Sequence, residues 1–523
     1  MGIEGVIDRV TSECIDGWVY RDDNPSEHLI VTVQFRGMNI GSDSASQFRE
    51  DLKEANIGAG DHAYAVFLEQ RIEAHEFAEL IVLARSRDGE HLELPLPALP
   101  DPEAENNTEA AQDPENTTHV SDAVIRYKPV AGKAHPPLDY RTFSNIRVQA
   151  FKHSLPGFPG GPVLLEPEFA QFRHKQGDRT VDSFDEKTHF TRYLEGDWVY
   201  IGSTYPHFGH IMAEMIHRIL PSRIFFPDVN RYLLVTTLNH EVGPGIESLY
   251  RTHQEVLEFC EIDPGSVLIL NENAVVEHLS ICEQGATLLG RPTPWYLEVL
   301  QDFSTRRLDQ IHGSRPSPAQ VYVSKSKIPH GSTILGERYI EELLSHEGFF
   351  IFHPEEAPLS LQMDIYRKAK QLVFAEGSAI HGTQLLGEKM LDSTFVFLRN
   401  IHFQHLLADI LQPRSQQLDM FPDTSILGTI IVDRDSRRPR VEFSVSLFDI
   451  DRLVTFFHDH QLARLSGIDV GQYFDAAEQD LKAYFSFHMD SGIDDATAVV
   501  DAWRIGEVRL EFEKNRQRFL GNR

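Results

Sequence analysis

Cysteine is nearly absent: Cys14, Cys260 and Cys282 are the only three in a chain of 523 residues. Odd in number and without metal-site spacing, they exclude a disulfide framework and a zinc-finger-type site. They read as packing residues in a reducing compartment. Long apolar runs are missing too, and none is long enough to cross a bilayer. The opening Met1-Gly2-Ile3-Glu4-Gly5 has neither the basic nor the apolar segment of a secretory signal, which predicts a cytoplasmic protein. The sequons Asn106-Asn107-Thr108 and Asn116-Thr117-Thr118 are then chance matches in a polar stretch. Val6 stands where a myristoylation motif needs Ser or Thr. Positive charge is scarce as well: 49 Lys and Arg face 79 Asp and Glu, a formal net charge of −30. Such a field argues against nucleic acid as a partner and against general attraction to anionic lipid. A local positive pocket for an anion, built from a few basic groups and helix ends, stays open. So does peripheral membrane association.

What is present is the composition of a globular protein, 41% hydrophobic and 24% charged, in a chain long enough for two or three domains. Residues 1–96 show short strands with turn signals, such as Gly5 to Val10, Gly17 to Tyr20, Leu29 to Val33 and Leu80 to Leu83. Asp88-Gly89 marks a hairpin and Gln47 to Ala55 a short helix. This predicts a small β-sandwich-like domain, either a carbohydrate-binding or docking module or a passive structural one. Residues 97–122 are rich in Pro, Asn, Thr, Asp and Glu, with almost no large apolar side chain, which predicts a flexible acidic linker.

Beyond the linker, strands and helices alternate, which predicts α/β layering in two Rossmann-like halves, 123–314 and 315–440. Strand Trp198 to Ile201 leads into a helix from about Phe208 to Leu220. Strands Tyr232 to Thr236 and Val267 to Leu270 come next. The second half runs from strand Val321 to Ser324 through a helix near Leu335 to Ser345 and strand Phe349 to Phe352. A helix near Leu359 to Lys370 and strand Leu372 to Ala375 lead to a Gly-containing turn, a further helix and strand Thr394 to Leu398. Residues 441–523 are expected to form helices, near Leu447 to His460 and Gln472 to Phe485, packed on the body.

Three constellations carry chemistry. On a helix, His210, Glu214 and Arg218 fall on one stripe at four-residue spacing, opening at a strand's C-terminal edge where α/β sheets bind ligands. An imidazole or carboxylate there can deprotonate an acceptor hydroxyl. Two rival readings remain: a metal site on His207, His210, Glu214 and His217, although the His-Glu-x-x-His order is absent, and an ordinary Glu214–Arg218 surface pair. Next, Glu376-Gly377-Ser378-Ala379-Ile380-His381-Gly382 comes directly after a strand. Small side chains there let a phosphate approach the backbone N–H groups, Ser378 can donate and Glu376 can accept from ribose or sugar hydroxyls. The plainer alternative is a tight turn with no ligand. Third, Lys325 and Lys327 just past a strand suit a departing diphosphate, or are solvated surface lysines.

In this order the three resemble glycosyltransferase family 61. Phe208-Gly209-His210 with Glu214 and Arg218 matches its helix-opening motif, and Val321 to Lys325 its Val-Tyr-Val-Ser-basic strand. Glu341-Glu342, Gly348-Phe349 through His353-Pro354-Glu355, Gln362 and the Gly377 to Gly382 turn complete it. The likeness spans roughly Thr191 to Arg399. The chain departs from it at Lys325 and Lys327, where many relatives carry Arg, and at Ala375-Glu376-Gly377, where a Pro-His-Gly turn is common.

The resemblance implies a bacterial-type, inverting, metal-independent enzyme of GT-B fold, without cofactor. It would move sugar from a nucleotide-sugar to a glycan or lipid-linked acceptor in surface polysaccharide synthesis. Residues 123–314 would be the acceptor half and 315–440 the donor half. His210 or Glu214 would be the base. Arg218, Lys325, Lys327, Glu376, Gly377, Ser378, Ala379, His381 and Gly382 would hold the donor diphosphate. A non-catalytic sugar-binding or scaffold protein and a metal-dependent hydrolase are the alternatives.

Overall fold

The computed structural model describes residues 3–96 and 135–521, apart from breaks at 11–13, 37, 47–48, 50–51, 54, 56, 69–71, 73, 87–89, 151–157, 186–187, 206, 237–245, 329–332, 466 and 492–496. The expected linker at 97–122 and the Asp88-Gly89 turn lie outside the described residues, as does most of the expected helix at Gln47 to Ala55. The chain divides into two compact units, Met1–Thr117 and Thr118–Arg523.

The first unit contains two antiparallel sheets. Strands Ile3–Val10, Cys14–Arg21 and Ala63–Phe67 form one, and Met38–Ser44, Ile30–Phe35, Leu80–Arg85 and His91–Leu94 the other. Alternation dictates the faces. Val31 and Val33 are buried while Ile30 is exposed, and Val82 and Ala84 are buried while Ile81 is exposed. The inward residues of both sheets meet in one core with Ile7, Ile15 and Val19.

The second unit is mixed α/β, built on two larger sheets. The first has six strands in the order Gly161–Pro162, Tyr140–Gln149, Ala274–Cys282, Arg192–Ser203, Tyr232–Val235, Val267–Leu270. Its last four strands are parallel, while Tyr140–Gln149 runs antiparallel to both of its neighbours. The second sheet is wholly parallel: Phe350–Phe352, Gln320–Val323, Gln371–Ala375, Leu391–Phe397, Ser415–Phe421.

Both sheets are buried on two faces, so their strands read as continuous apolar runs. Val199, Ile201 and Leu234 point into a core shared with Val321, Val323, Leu372, Phe374 and Val396 of the second sheet. Helix Pro294–His312 supplies Trp295, Tyr296, Leu300 and Phe303 to that same core. The opposite face of the second sheet, with Tyr322, Val373, Phe395 and Phe397, is covered by the C-terminal helices Ile450–Asp459, Val470–Ser491 and Arg504–Gly521. The C-terminal region also adds strand Val445–Phe448, where the sequence suggested only helix.

Two elements differ from the sequence reading. The single helix expected from Phe208 to Leu220 is interrupted. One turn at Phe208–His210 widens into a π turn at Ile211–Met215, breaks, and resumes as helix Ile219–Phe225. The helix expected after the glycine turn is a short 3₁₀ stretch, Ser378–Thr383. Among the described residues no helix is long and apolar enough to cross a membrane.

Candidate active site

Strand Arg192–Ser203 ends where the chain enters the turn at Phe208, at the parallel strands' C-terminal edge. His207 caps that turn, its Nδ1 accepting the His210 N–H at 3.4 Å. Four residues on, His210 Nδ1 meets Glu214 Oε1 at 2.5 Å. Glu214 is buried, whereas the His210 side chain keeps 38% of its surface exposed. The second carboxylate oxygen of Glu214 lies 3.2 Å from His174 Nε2 and accepts from Gln176 Nε2 at 2.8 Å. Burial pushes the Glu214 carboxyl up, but the hydrogen bonds from His174, His210 and Gln176 outweigh it and hold it down to about 2. Glu214 is therefore a fixed anion that orients His210. With Nδ1 carrying the proton shared with Glu214, the imidazole presents Nε2 as an acceptor, the arrangement a general base requires. Tyr205 flanks the ring with centroids 4.8 Å apart, and its N–H is held by buried His253 at 3.2 Å.

His174 and Gln176 were not found from the sequence. They come from strand Lys175–Gln176 and its preceding residue, with no motif linking them to Glu214.

Arg218 leaves the stripe that four-residue spacing assigns it. The π turn and the break after it carry its side chain into the interior. There it is 2% exposed and donates to the carbonyls of Cys282, Phe172 and Arg173, each at 2.9 Å. His217 is also buried, its Nδ1 3.3 Å from the Tyr296 hydroxyl, and burial and Arg414 push it down to about 3. The four residues His207, His210, Glu214 and His217 thus do not converge on one point. Among the described residues one group alone brings three possible metal-ligand atoms within 4.8 Å of one another, and it is His28, Asp61 and His62.

The glycine turn of the second sheet packs directly on this helix start. A Cβ added at Gly209 would lie 3.1 Å from His207 and 3.6 Å from His381. Burial, then the neighbouring His210 and His207, push His381 down to about 4, and its Nδ1 is buried without a partner. Gly377 and Ala379 are half-buried and Ser378 is exposed, while Gly382 is buried against Gln362 and Tyr366. At the other end of the turn the Lys325 stem lies over Gly377, where an added Cβ would stand 3.2 Å from Lys325 Cδ. Part of Lys325 remains accessible, yet its ammonium is crowded. Burial first and Arg399 second, against the pull of Glu337 and Glu376, lower it to about 8.

Two further residues singled out from the sequence have other engagements. Glu376 is buried and accepts from Arg399 N, Arg399 Nη2 and Asn400 N, which occupies both its oxygens. Lys327 is exposed and pairs with Glu356 at 2.7 Å. Behind Lys325 stands a buried acid that sequence reading passed over, although it lies four residues before Glu341. Glu337 accepts from Tyr322, Ser324 and Lys325 N, and burial raises it to about 7.

The turn at 376–382 is therefore the common wall of two clusters, His207–His210–Glu214 on one side and Lys325–Arg399 on the other. This pairs a general-base candidate with an anion-receiving one. Residues 208–390 match the family model described as Glycosyltransferase 61, a stretch that begins at the His210 turn and contains the Gly377–Gly382 turn. No curated protein matches the chain.

Proposed function

Starting from that glycosyltransferase match, we propose that the protein transfers a sugar from a nucleotide-sugar to a hydroxyl of a glycan or lipid-linked acceptor, inverting the anomeric centre in one displacement. The observation that carries the reading is the packing of the glycine turn against the His210 turn, with Lys325 laid over Gly377. His210 Nε2 takes the proton of the acceptor hydroxyl as its oxygen bonds to the anomeric carbon. The bond from that carbon to the diphosphate oxygen breaks, and the leaving group departs with the electron pair. Glu214 stabilises the imidazolium that forms, as a fixed carboxylate does when it holds the far nitrogen of a histidine base. Lys325, reinforced by Arg399 behind it, meets the negative charge of the departing diphosphate, and the small residues Gly377, Ser378 and Ala379 give it access to backbone N–H groups. Arg218 and Glu376 are left as supports, since their partners are already inside the protein, and Lys327 is left in its exposed pair with Glu356.

With the two sheets taken as the halves of a GT-B-type layout, the acceptor would lie on the six-stranded side and the donor on the five-stranded side. Surface polysaccharide synthesis in the cytoplasm is the setting proposed with it.

Calorimetry against a panel of nucleoside diphosphates and nucleotide-sugars, with and without chelator, tests the reading. Selective binding of one nucleotide, retained in His210→Ala while turnover is lost, is the expected result. Failure of every nucleotide to bind folded protein overturns it.

A further inference from the structure

We propose that the N-terminal unit holds a divalent transition-metal ion, zinc being the best fit, on His28, Asp61 and His62. The three side chains come from two separate loops, one between strands Cys14–Arg21 and Ile30–Phe35, the other leading into strand Ala63–Phe67. Their ligand atoms lie within 4.8 Å of one another. His28 Nε2 is 2.9 Å from Asp61 Oδ2, and His62 Nε2 is 3.6 Å from Asp61 Oδ1. Two imidazoles and one carboxylate are the donor set of a borderline-soft ion, and three protein ligands leave a fourth position for solvent or substrate.

Several features separate this cluster from an ordinary surface ion pair. His62 is fully buried, and its Nδ1 has no partner. Its Nε2 is 3.1 Å from the Pro25 carbonyl, an oxygen placed to join the ion's ligands on the same side. Gly58, at φ +54°, faces that ring edge, and a Cβ there would fall 2.2 Å from His62 Nε2. The missing side chain is what lets the Gly58 backbone approach that ring so closely. His28 and Asp61 remain 36% exposed, so the ion has a path in from solvent.

The ion cross-links two loops of a small β-domain, the kind of unit that gains most from a staple. The inference is independent of the glycosyltransferase reading, because it uses residues of the first unit alone.

Metal-stripped full-length protein is titrated with zinc chloride by calorimetry and with cobalt(II) by visible absorption. One equivalent binding at micromolar or better affinity, with the d–d bands of four-coordinate cobalt, is expected. His28→Ala and Asp61→Asn, both at partly exposed positions, should weaken it at least tenfold, and His210→Ala should not change it. No binding at millimolar metal, or binding that both variants keep and His210→Ala loses, overturns the proposal.

Discussion

His210 and Glu214 sit one turn apart, and substitution separates what each contributes. His210→Ala should lower kcat by about 10²-fold or more while leaving nucleotide affinity unchanged, because only the proton transfer is lost. Glu214→Gln should lower kcat as well, and it should also cost stability. The Glu214 carboxyl is held near 2 in the folded chain against an ordinary 4.5. Since its folded value is depressed, its contribution is present above the ordinary value and is lost as pH falls from 4.5 towards 2. At about 1.4 kcal/mol per unit the upper bound is about 3 kcal/mol. Urea melts should therefore show Glu214→Gln less stable than wild type at neutral pH, with the deficit closing in acid. Lys325 gives the opposite pH signature. Its ammonium is held down to about 8, so it is charged below that value and neutral above it. Donor KM should rise as pH passes upward through about 8, and Lys325→Arg, which stays charged, should flatten that rise.

At the scale of elements, close approaches decide which substitutions are tolerated. Helix Pro294–His312 is pressed against the segment after the glycine turn, where Ser304 Oγ donates to the Leu385 carbonyl at 2.5 Å. A Cβ on Gly387 would fall 2.2 Å from the Gln301 backbone nitrogen. Backbone has no rotamer with which to yield, so Gly387→Ala should destabilise by roughly 2 kcal/mol or more, read as a fall in Tm. Tyr473 tests a different junction. Its hydroxyl accepts from Phe448 N at 2.9 Å and donates to the Leu335 carbonyl at 3.0 Å, joining helix Val470–Ser491 to two strands. Tyr473→Phe leaves a buried N–H and a buried carbonyl without that partner, which should cost about 1–3 kcal/mol with kcat nearly unchanged.

The strands were legible in the sequence because burial on both faces writes itself as unbroken apolar runs, as in Val321-Tyr322-Val323 and Leu372-Val373-Phe374. The His210–Glu214 contact was legible for a similar reason, being local and one helical turn apart. Arg218 was not, because a wider turn inserts an extra residue and swings the side chains beyond it by about 100°. His174, Gln176 and Arg399 reach the clusters only through tertiary folding, and no spacing rule connects them to the residues they hold.

Over the whole molecule, the C-terminal helices are part of the second sheet's core rather than an appendage. Removing residues 450–523 would expose Tyr322, Val373, Phe395 and Phe397, all fully or nearly fully buried. At about 1.5–3 kcal/mol for each large apolar side chain, the loss approaches the entire stability of a typical domain. The truncated chain should be insoluble or lack a cooperative thermal transition, whereas Thr118–Arg523 alone should keep one.

The core that passes from Val199 and Leu234 through Trp295 and Phe303 to Phe374 has a mechanical consequence. A hinge needs a seam across which few side chains interlock, and between the two sheets the described residues provide a continuous apolar interior instead. The wall between His210 and Lys325 is therefore set when the chain folds, not assembled when a ligand arrives. Nucleotide should enter a rigid vise, leaving the scattering radius of the second unit unchanged while slowing amide exchange at Ser378–Thr383 alone.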